Sequence, residues 1–241
     1  KELCIYALSE CSIQYINISH FDINDQLELQ KFALSTGKTK ITDIKNPVDE
    51  LFLEATKYYN TVVSQYMESV IPPNEEFLLK LCHCTIDSPN FDPGYLRLYE
   101  VSKYCNGENY KKLLLHYYSN PLSQKYASYL YNFRHDEKFI IKLIDIFESA
   151  LPICNAVNDY YNPNEKIWSI AVDKDPNVFV SFQFPNSLRT KKICLKCMQA
   201  DVDVFTHVPV ELHNDDDVVN LVCNKVEKFP HWITYLTKSC I

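Results

Sequence analysis

The chain has 241 residues, 24 basic against 31 acidic side chains, a formal charge of −7, 46% hydrophobic residues and three glycines. That length and apolar content suffice for one large core or two small ones. Phosphate-cradling loops, dinucleotide fingerprints and the Gly-x-Ser-x-Gly elbow need clustered glycines, and Gly37, Gly94 and Gly107 are too dispersed for any of them; the acidic balance offers no continuous basic run for nucleic acid, and no apolar run is long enough to cross a membrane.

Helix signals dominate residues 22 to 162. Asn46-Pro47 reads as a helix start, followed by Val48, Leu51, Phe52, Ala55, Tyr59, Val62, Tyr66 and Val70 at three- and four-residue steps, which predicts one long helix ended by Pro72-Pro73. Asn74 then caps a shorter helix through Phe77, Leu78, Leu81 and Cys82. Asp92-Pro93 repeats the start signal for a helix through Tyr95, Leu98, Val101 and Cys105, stopped by Asn106-Gly107. A helix follows over Tyr110 to Tyr118, Asn120-Pro121 opens the next, and Lys138 to Tyr160 reads as a long helix kinked at Pro152. Around Asp175-Pro176-Asn177, the alternation of Ile167, Ser169 and Ala171 and the run Val178 to Phe182 predict a short extended segment near 167–184. Helical signals return at Ser187 to Met198, Asn214 to Val226 and Pro230 to Lys238. The expected class is mostly α.

The ten cysteines, Cys4, Cys11, Cys82, Cys84, Cys105, Cys154, Cys194, Cys197, Cys223 and Cys240, are many for a reducing compartment. Their even number, the start at Lys1 and the sequon Asn17-Ile18-Ser19 are compatible with a processed, secreted, disulfide-bonded chain. Their layout also suggests tandem duplication. Pro73-Asn74 precedes Cys82 as Pro185-Asn186 precedes Cys194, and Val101 to Asn106 is echoed by Val219 to Asn224; the offset is 112 residues between Cys82 and Cys194 and 118 between Cys105 and Cys223. The expected organisation is therefore an N-terminal helical lobe over 1–125 and a C-terminal lobe over 126–241. Two cysteines two apart on a helix point about 200° apart, so Cys82 and Cys84 would staple their helix to different neighbours. All ten cysteines are disulfide candidates, with connectivity open; the bland reading is buried thiols acting as small apolar residues.

Cys82-His83-Cys84 with a second pair at Cys194 and Cys197, in an apparently duplicated helical chain, resembles the bicycle proteins of gall-forming aphid saliva, named for paired Cys-Tyr-Cys motifs. Neither pair here has the central tyrosine, and the second is one residue longer. The resemblance implies a salivary effector acting on a host protein in plant tissue, with no catalytic residue to carry over.

A rival expectation is an intracellular zinc-binding regulatory or viral protein. Cys194-x-x-Cys197 has knuckle spacing, and His213 and Cys223 follow close enough to complete four ligands. A third is an enzyme of an unrecognised helical type. Asp215-Asp216-Asp217 suits a cation, but such a run at a helix start more simply complements the dipole. Seventeen tyrosines supply either amphipathic packing or a binding surface of large, stiff aromatic side chains. The reading is a secreted, non-enzymatic binding protein that displays aromatic helical faces to a host macromolecule, with no cofactor, nucleic acid or membrane partner; pairing of two copies is allowed.

Overall fold

A computed structural model describes residues 1–158 and 163–226, the side chains of 225 and 226 excepted. Every element among the described residues is helical, α or 3₁₀, and none is long and apolar enough to cross a membrane. The chain divides into two compact units, Lys1–Tyr126 and a second from Ala127 onward. Between Pro121 and Phe133 a 3₁₀ stretch is interrupted at Tyr126 (φ −98°, ψ 28°).

The first unit holds α1 (Glu2–Glu10), α2 (Ile23–Ser35), α3 (Asp49–Ala55), α4 (Val62–Ser69), α5 (Glu75–Ile86), α6 (Leu98–Val101) and α7 (Gly107–Ser119). The second holds α8 (Glu137–Ile146), α9 (Leu151–Val157), α10 (Glu165–Lys174), α11 (Lys191–Ala200) and α12 (Asp216–Val226).

A short unit recurs from α5 onward. Asn74, Asn106, Asp136 and Asn164 cap α5, α7, α8 and α10, each side chain accepting the N–H three residues on at 2.9 to 3.1 Å. Thr190 occupies the cap position of α11 without the side-chain bond. Counted from these caps, the fourth, seventh and eighth residues are buried in all five helices: Leu78, Leu81 and Cys82; Tyr110, Leu113 and Leu114; Ile140, Leu143 and Ile144; Trp168, Ala171 and Val172; Cys194, Cys197 and Met198. Those positions form one helical face. After each helix a short polar side chain folds back on the amide two residues ahead and opens the return segment: Asp92 to Gly94 (3.0 Å), Asn120 to Leu122 (3.1 Å), Ser149 to Leu151 (3.3 Å), Asp175 to Asn177 (3.1 Å) and Asp201 to Asp203 (2.9 Å). The five caps stand 32, 30, 28 and 26 residues apart.

Polar contacts show how neighbours stack. In the first unit Glu75, the first residue of α5, accepts from the Asn106 backbone (2.9 Å) and from both the Asn106 and Asn109 amides (2.9 and 3.0 Å) at the start of α7. In the second, Glu137 holds the same place in α8 and accepts from Asn164 (3.2 Å) and Lys166 (2.7 Å) at the start of α10. At the other end of that pair, Lys174 donates to the Asp145 carbonyl at 2.8 Å. Lys191 of α11 bridges Asp215 (2.8 Å) and Asp217 (2.6 Å) at the start of α12. Starts therefore adjoin starts at α8–α10 and at α11–α12, and ends adjoin ends at α8–α10. Trp168 near the start of α10 meets Phe184, over which Arg189, just before α11, also lies, so the starts of α10 and α11 adjoin too and α8, α10, α11 and α12 run parallel in chain order.

Several expectations are corrected by this architecture. The predicted helix from Val48 to Val70 is two, α3 and α4, separated where the Thr56 hydroxyl donates to the Leu53 carbonyl (2.8 Å) and the Tyr59 hydroxyl leaves for the Thr39 carbonyl (2.8 Å). Asn46 is a left-handed residue (φ 52°) rather than a cap, and Asn106 opens α7 instead of ending its predecessor. Pro152 does not kink a continuous helix: α8 ends at Ile146 and Pro152 sits in the first turn of α9, where a missing N–H costs nothing. No extended segment exists near 167–184; α10 and a 3₁₀ helix over Pro176–Val180 occupy it, because the Asn164 cap and the buried set Ile167, Trp168, Ala171 and Val172 give a helical face that the Ile-Ser-Ala alternation concealed. The caps define a shorter period than the expected two-copy duplication. Cys82 is the eighth residue from its cap and Cys194 the fourth from its own, so they are not counterparts; the offsets of 112 and 118 lie near four repeats of 26 to 32 residues. The predicted helix from Pro230 to Lys238 lies outside the described residues.

Candidate functional site

The disulfide framework is not found. The nine described cysteines, Cys4, Cys11, Cys82, Cys84, Cys105, Cys154, Cys194, Cys197 and Cys223, are all free; Cys240 lies outside the described residues. Cys82 and Cys84 do face different ways, Cys82 into the core and Cys84 half-buried, but without a bonded partner. Burial is the main force that holds five of these thiols protonated. It pushes Cys105 and Cys194 up to about 11 and Cys154 and Cys197 to about 12, and raises Cys82 well above the ordinary thiol range, with the Cys105 charge adding to it. A protonated buried thiol is a poor nucleophile and a poor ligand, so these side chains serve as small apolar packing units.

The zinc set is not assembled either. Cys194 and Cys197 point into the core from α11, whereas Cys223 is exposed on α12. His213 is occupied, its Nε2 lying 2.9 Å from the Val208 carbonyl and its ring 4.6 Å from that of Phe205. Among the described residues no three His, Cys, Asp or Glu side chains are placed to hold one ion. Asp215 and Asp217 of the aspartate run are tied to Lys191, which holds the Asp215 carboxyl below its usual range, and Asp215 also accepts from the Asp217 amide (3.1 Å).

The tyrosines divide. Tyr66, Tyr110, Tyr117 and Tyr118 are buried, with hydroxyls that reach backbone carbonyls from Tyr110 to Leu98 (3.1 Å) and from Tyr118 to Tyr126 (2.9 Å). Tyr6, Tyr15, Tyr95, Tyr99 and Tyr131 are exposed. Two carry a cation over the ring, Lys103 on Tyr99 at 4.9 Å and Arg134 on Tyr131 at 4.3 Å. Tyr160 and Tyr161 lie outside the described residues.

Two arrangements were not legible in the sequence. In the first unit the rings of His83 of α5 and His116 of α7 meet at 4.6 Å, tilted by 56°, and His116 Nε2 lies 2.9 Å from the Asp87 carboxylate. Burial, then the His116 charge, pushes the His83 pKa down, against an opposing pull from Asp87. Glu75 is held below the usual carboxylate range by the Asn106 backbone and the Asn109 amide. Both shifts have the same sign for stability, because the unfolded chain takes up the extra proton first. Stability is therefore expected to fall in two steps as the medium is acidified, one starting near pH 6.5 from His83 and one starting near pH 4.5 from Glu75 together with Glu137 and Asp215, which are likewise held low. Urea midpoints measured across that range check this, with His83→Gln flattening the upper step and leaving the lower one.

In the second unit the Arg189 guanidinium lies over the rings of Phe179 (4.6 Å) and Phe184 (5.2 Å) and donates to the His207 (2.8 Å) and Ser181 (3.4 Å) carbonyls. It gathers two return segments, those opened by Asp175 and Asp201, around the Trp168–Phe184 edge contact at 5.1 Å. A cleft of about 460 Å³ in the first unit is lined by Lys31, Glu50, Glu54, Lys57, Cys84 and Asp87, and its charges pair internally as Lys31–Glu50 and Lys57–Glu54.

No known protein family, curated protein or solved structure matches the chain.

Proposed function

We propose that the chain is a non-enzymatic binding protein that recognises a macromolecular partner across the outer face of stacked parallel helices. The observation that supports this reading is the shared register of α8, α10 and α11. When successive helices bury the same three positions and lie parallel, their outward positions also fall in line, giving an extended surface whose residues repeat from helix to helix. Stacked repeats of this kind bind through area and spacing rather than through one deep pocket.

The salivary-effector resemblance, with a host protein as partner, is one form of this reading. The disulfide framework that pointed outside the cell is unsupported by nine free thiols, so the proposal rests on the helical face and not on a compartment. The test is capture of binding partners by the immobilised full chain, followed by hydrogen exchange on the complex with one purified partner. Protection confined to outward positions of successive helices is expected. Failure to capture any partner specifically, together with turnover of a small molecule in an activity screen, would overturn it.

A further inference from the structure

We infer that the outer face of α8, α10 and α11 is a docking surface for an acidic segment of a partner protein in polyproline II conformation, reading acid-x-x-apolar-x-x-acid. This deepens the binding proposal and rests on it.

The surface follows from the repeat. The second residue after the cap is Lys138 in α8, Lys166 in α10 and Lys192 in α11, and the sixth is Lys142, Ile170 and Lys196. All five lysines are exposed and Ile170 is half-buried. Residues four apart share a helix face about 6 Å from each other; α10 packs against α8 with starts and ends aligned, and against α11 with their starts joined through Phe184. The six side chains thus form two rows of three, one all lysine and one Lys-Ile-Lys, on a chain whose net charge is −7. The carboxylates around them are Glu137 and Glu165 at the helix starts and Asp145 and Asp173 toward the ends. Glu137 pairs with Lys166 and Asp173 with Lys196. Such exposed pairs contribute little to stability and are screened by salt.

Helix stability does not explain the lysines. A cation in the first turn opposes the positive end of the helix dipole, yet three successive helices place one there, and the first turn of α11 has no acid at all. Lys166 and Lys196 are answered within the chain by Glu137 and Asp173, whereas Lys138, Lys142 and Lys192 carry no such pair among the described residues, and these three point to an external anion.

The spacing selects the conformation of that anion. Packed helix axes stand roughly 8–10 Å apart. A polyproline II segment advances about 9 Å per three-residue turn and presents every third side chain on one side, so carboxylates at positions one and seven meet Lys142 of α8 and the neighbouring Lys192 and Lys196 of α11 while an apolar residue at position four covers Ile170. A β-strand puts residues three apart on opposite faces. Single-stranded nucleic acid wants aromatic platforms for its bases, and the centre of this face is Ile170.

The experiment is fluorescence anisotropy of labelled Glu-Pro-Pro-Leu-Pro-Pro-Glu titrated with the full-length chain at low salt. Binding is expected to weaken at least about tenfold for Lys142→Glu/Lys192→Glu and for the peptide with Leu replaced by Ser, and to weaken with added salt. The control Lys40→Glu/Lys103→Glu, matched in charge change but placed in the first unit, is expected to bind like the parent. Glutamate in a first turn favours the helix, so Lys192→Glu is not expected to unfold the chain; helix content by circular dichroism checks both variants. Equal loss in test and control variants, no peptide binding at millimolar concentration, or tighter binding of a single-stranded oligonucleotide or of phosphatidylserine vesicles would overturn the assignment. A captured partner that protects some other face would overturn this inference alone, and failure of capture itself would remove the binding reading beneath it.

Discussion

Trp168→Ala is expected to destabilise the second unit by about 3–5 kcal/mol, measured as a fall in urea midpoint at unchanged slope. The indole is 2% exposed and occupies the fourth position of α10, the helix between α8 and α11. It meets Phe184 edge-on at 5.1 Å, and Phe184 in turn meets Phe179 at the same separation beneath the Arg189 guanidinium. Removing it leaves a cavity where two stacked neighbours and a return segment converge, a place with little freedom to collapse. Trp168→Phe is expected to recover more than half of the loss, because edge contact with Phe184 survives. Equal loss in the two variants would mean that the ring does not hold this junction.

The equivalent test in the first unit is Tyr118. Its side chain is fully buried at the end of α7, its ring lies 4.9 Å from that of Tyr117, and its hydroxyl donates to the Tyr126 carbonyl at 2.9 Å. Tyr118→Ala is expected to cost about 3–5 kcal/mol, as other buried aromatic truncations do. Tyr118→Phe removes only the bond that ties the chain after α7 back to the helix and is expected to cost about 1 kcal/mol. A Phe variant as damaged as Ala would shift the stabilising role from ring packing to that single hydroxyl.

Much of the fold was legible in the sequence, through local chemistry. Asn74 capped a helix where the pattern placed it, and Asn120-Pro121 and Asp175-Pro176 opened segments because their side chains bond the amide two residues on. Asn106 and Asn164 are the same signal, but Asn106-Gly107 read as a stop and Asn164 fell before an alternating stretch. The repeat itself escaped because its signature is a register of burial rather than a recurring letter: the eighth position is Cys82, Leu114, Ile144, Val172 and Met198 in turn.

The cysteines misled for a related reason. Cys82, Cys194 and Cys197 occupy core positions that other repeats fill with aliphatic or aromatic side chains, so their spacing records helix geometry and not pairing. Nor did the sequence hold the lysine face as a run. Lys138, Lys166 and Lys192 lie more than twenty residues apart, and only parallel stacking brings them into one row. The His83–His116 contact likewise arises from the packing of α5 on α7.

The claim that helices held by caps and apolar packing, without covalent staples, make this scaffold is tested most directly by thiol alkylation with intact-mass and peptide mapping in the absence of reductant. Under native conditions Cys223 is expected to react rapidly and Cys82, Cys154, Cys194 and Cys197 to stay unlabelled, since burial keeps their thiols inaccessible and protonated. On denaturation, still without reductant, all nine described cysteines are expected to take the label. Any of the four buried cysteines remaining blocked after denaturation would establish a disulfide, contradict the packing account and restore the stapled, secreted reading.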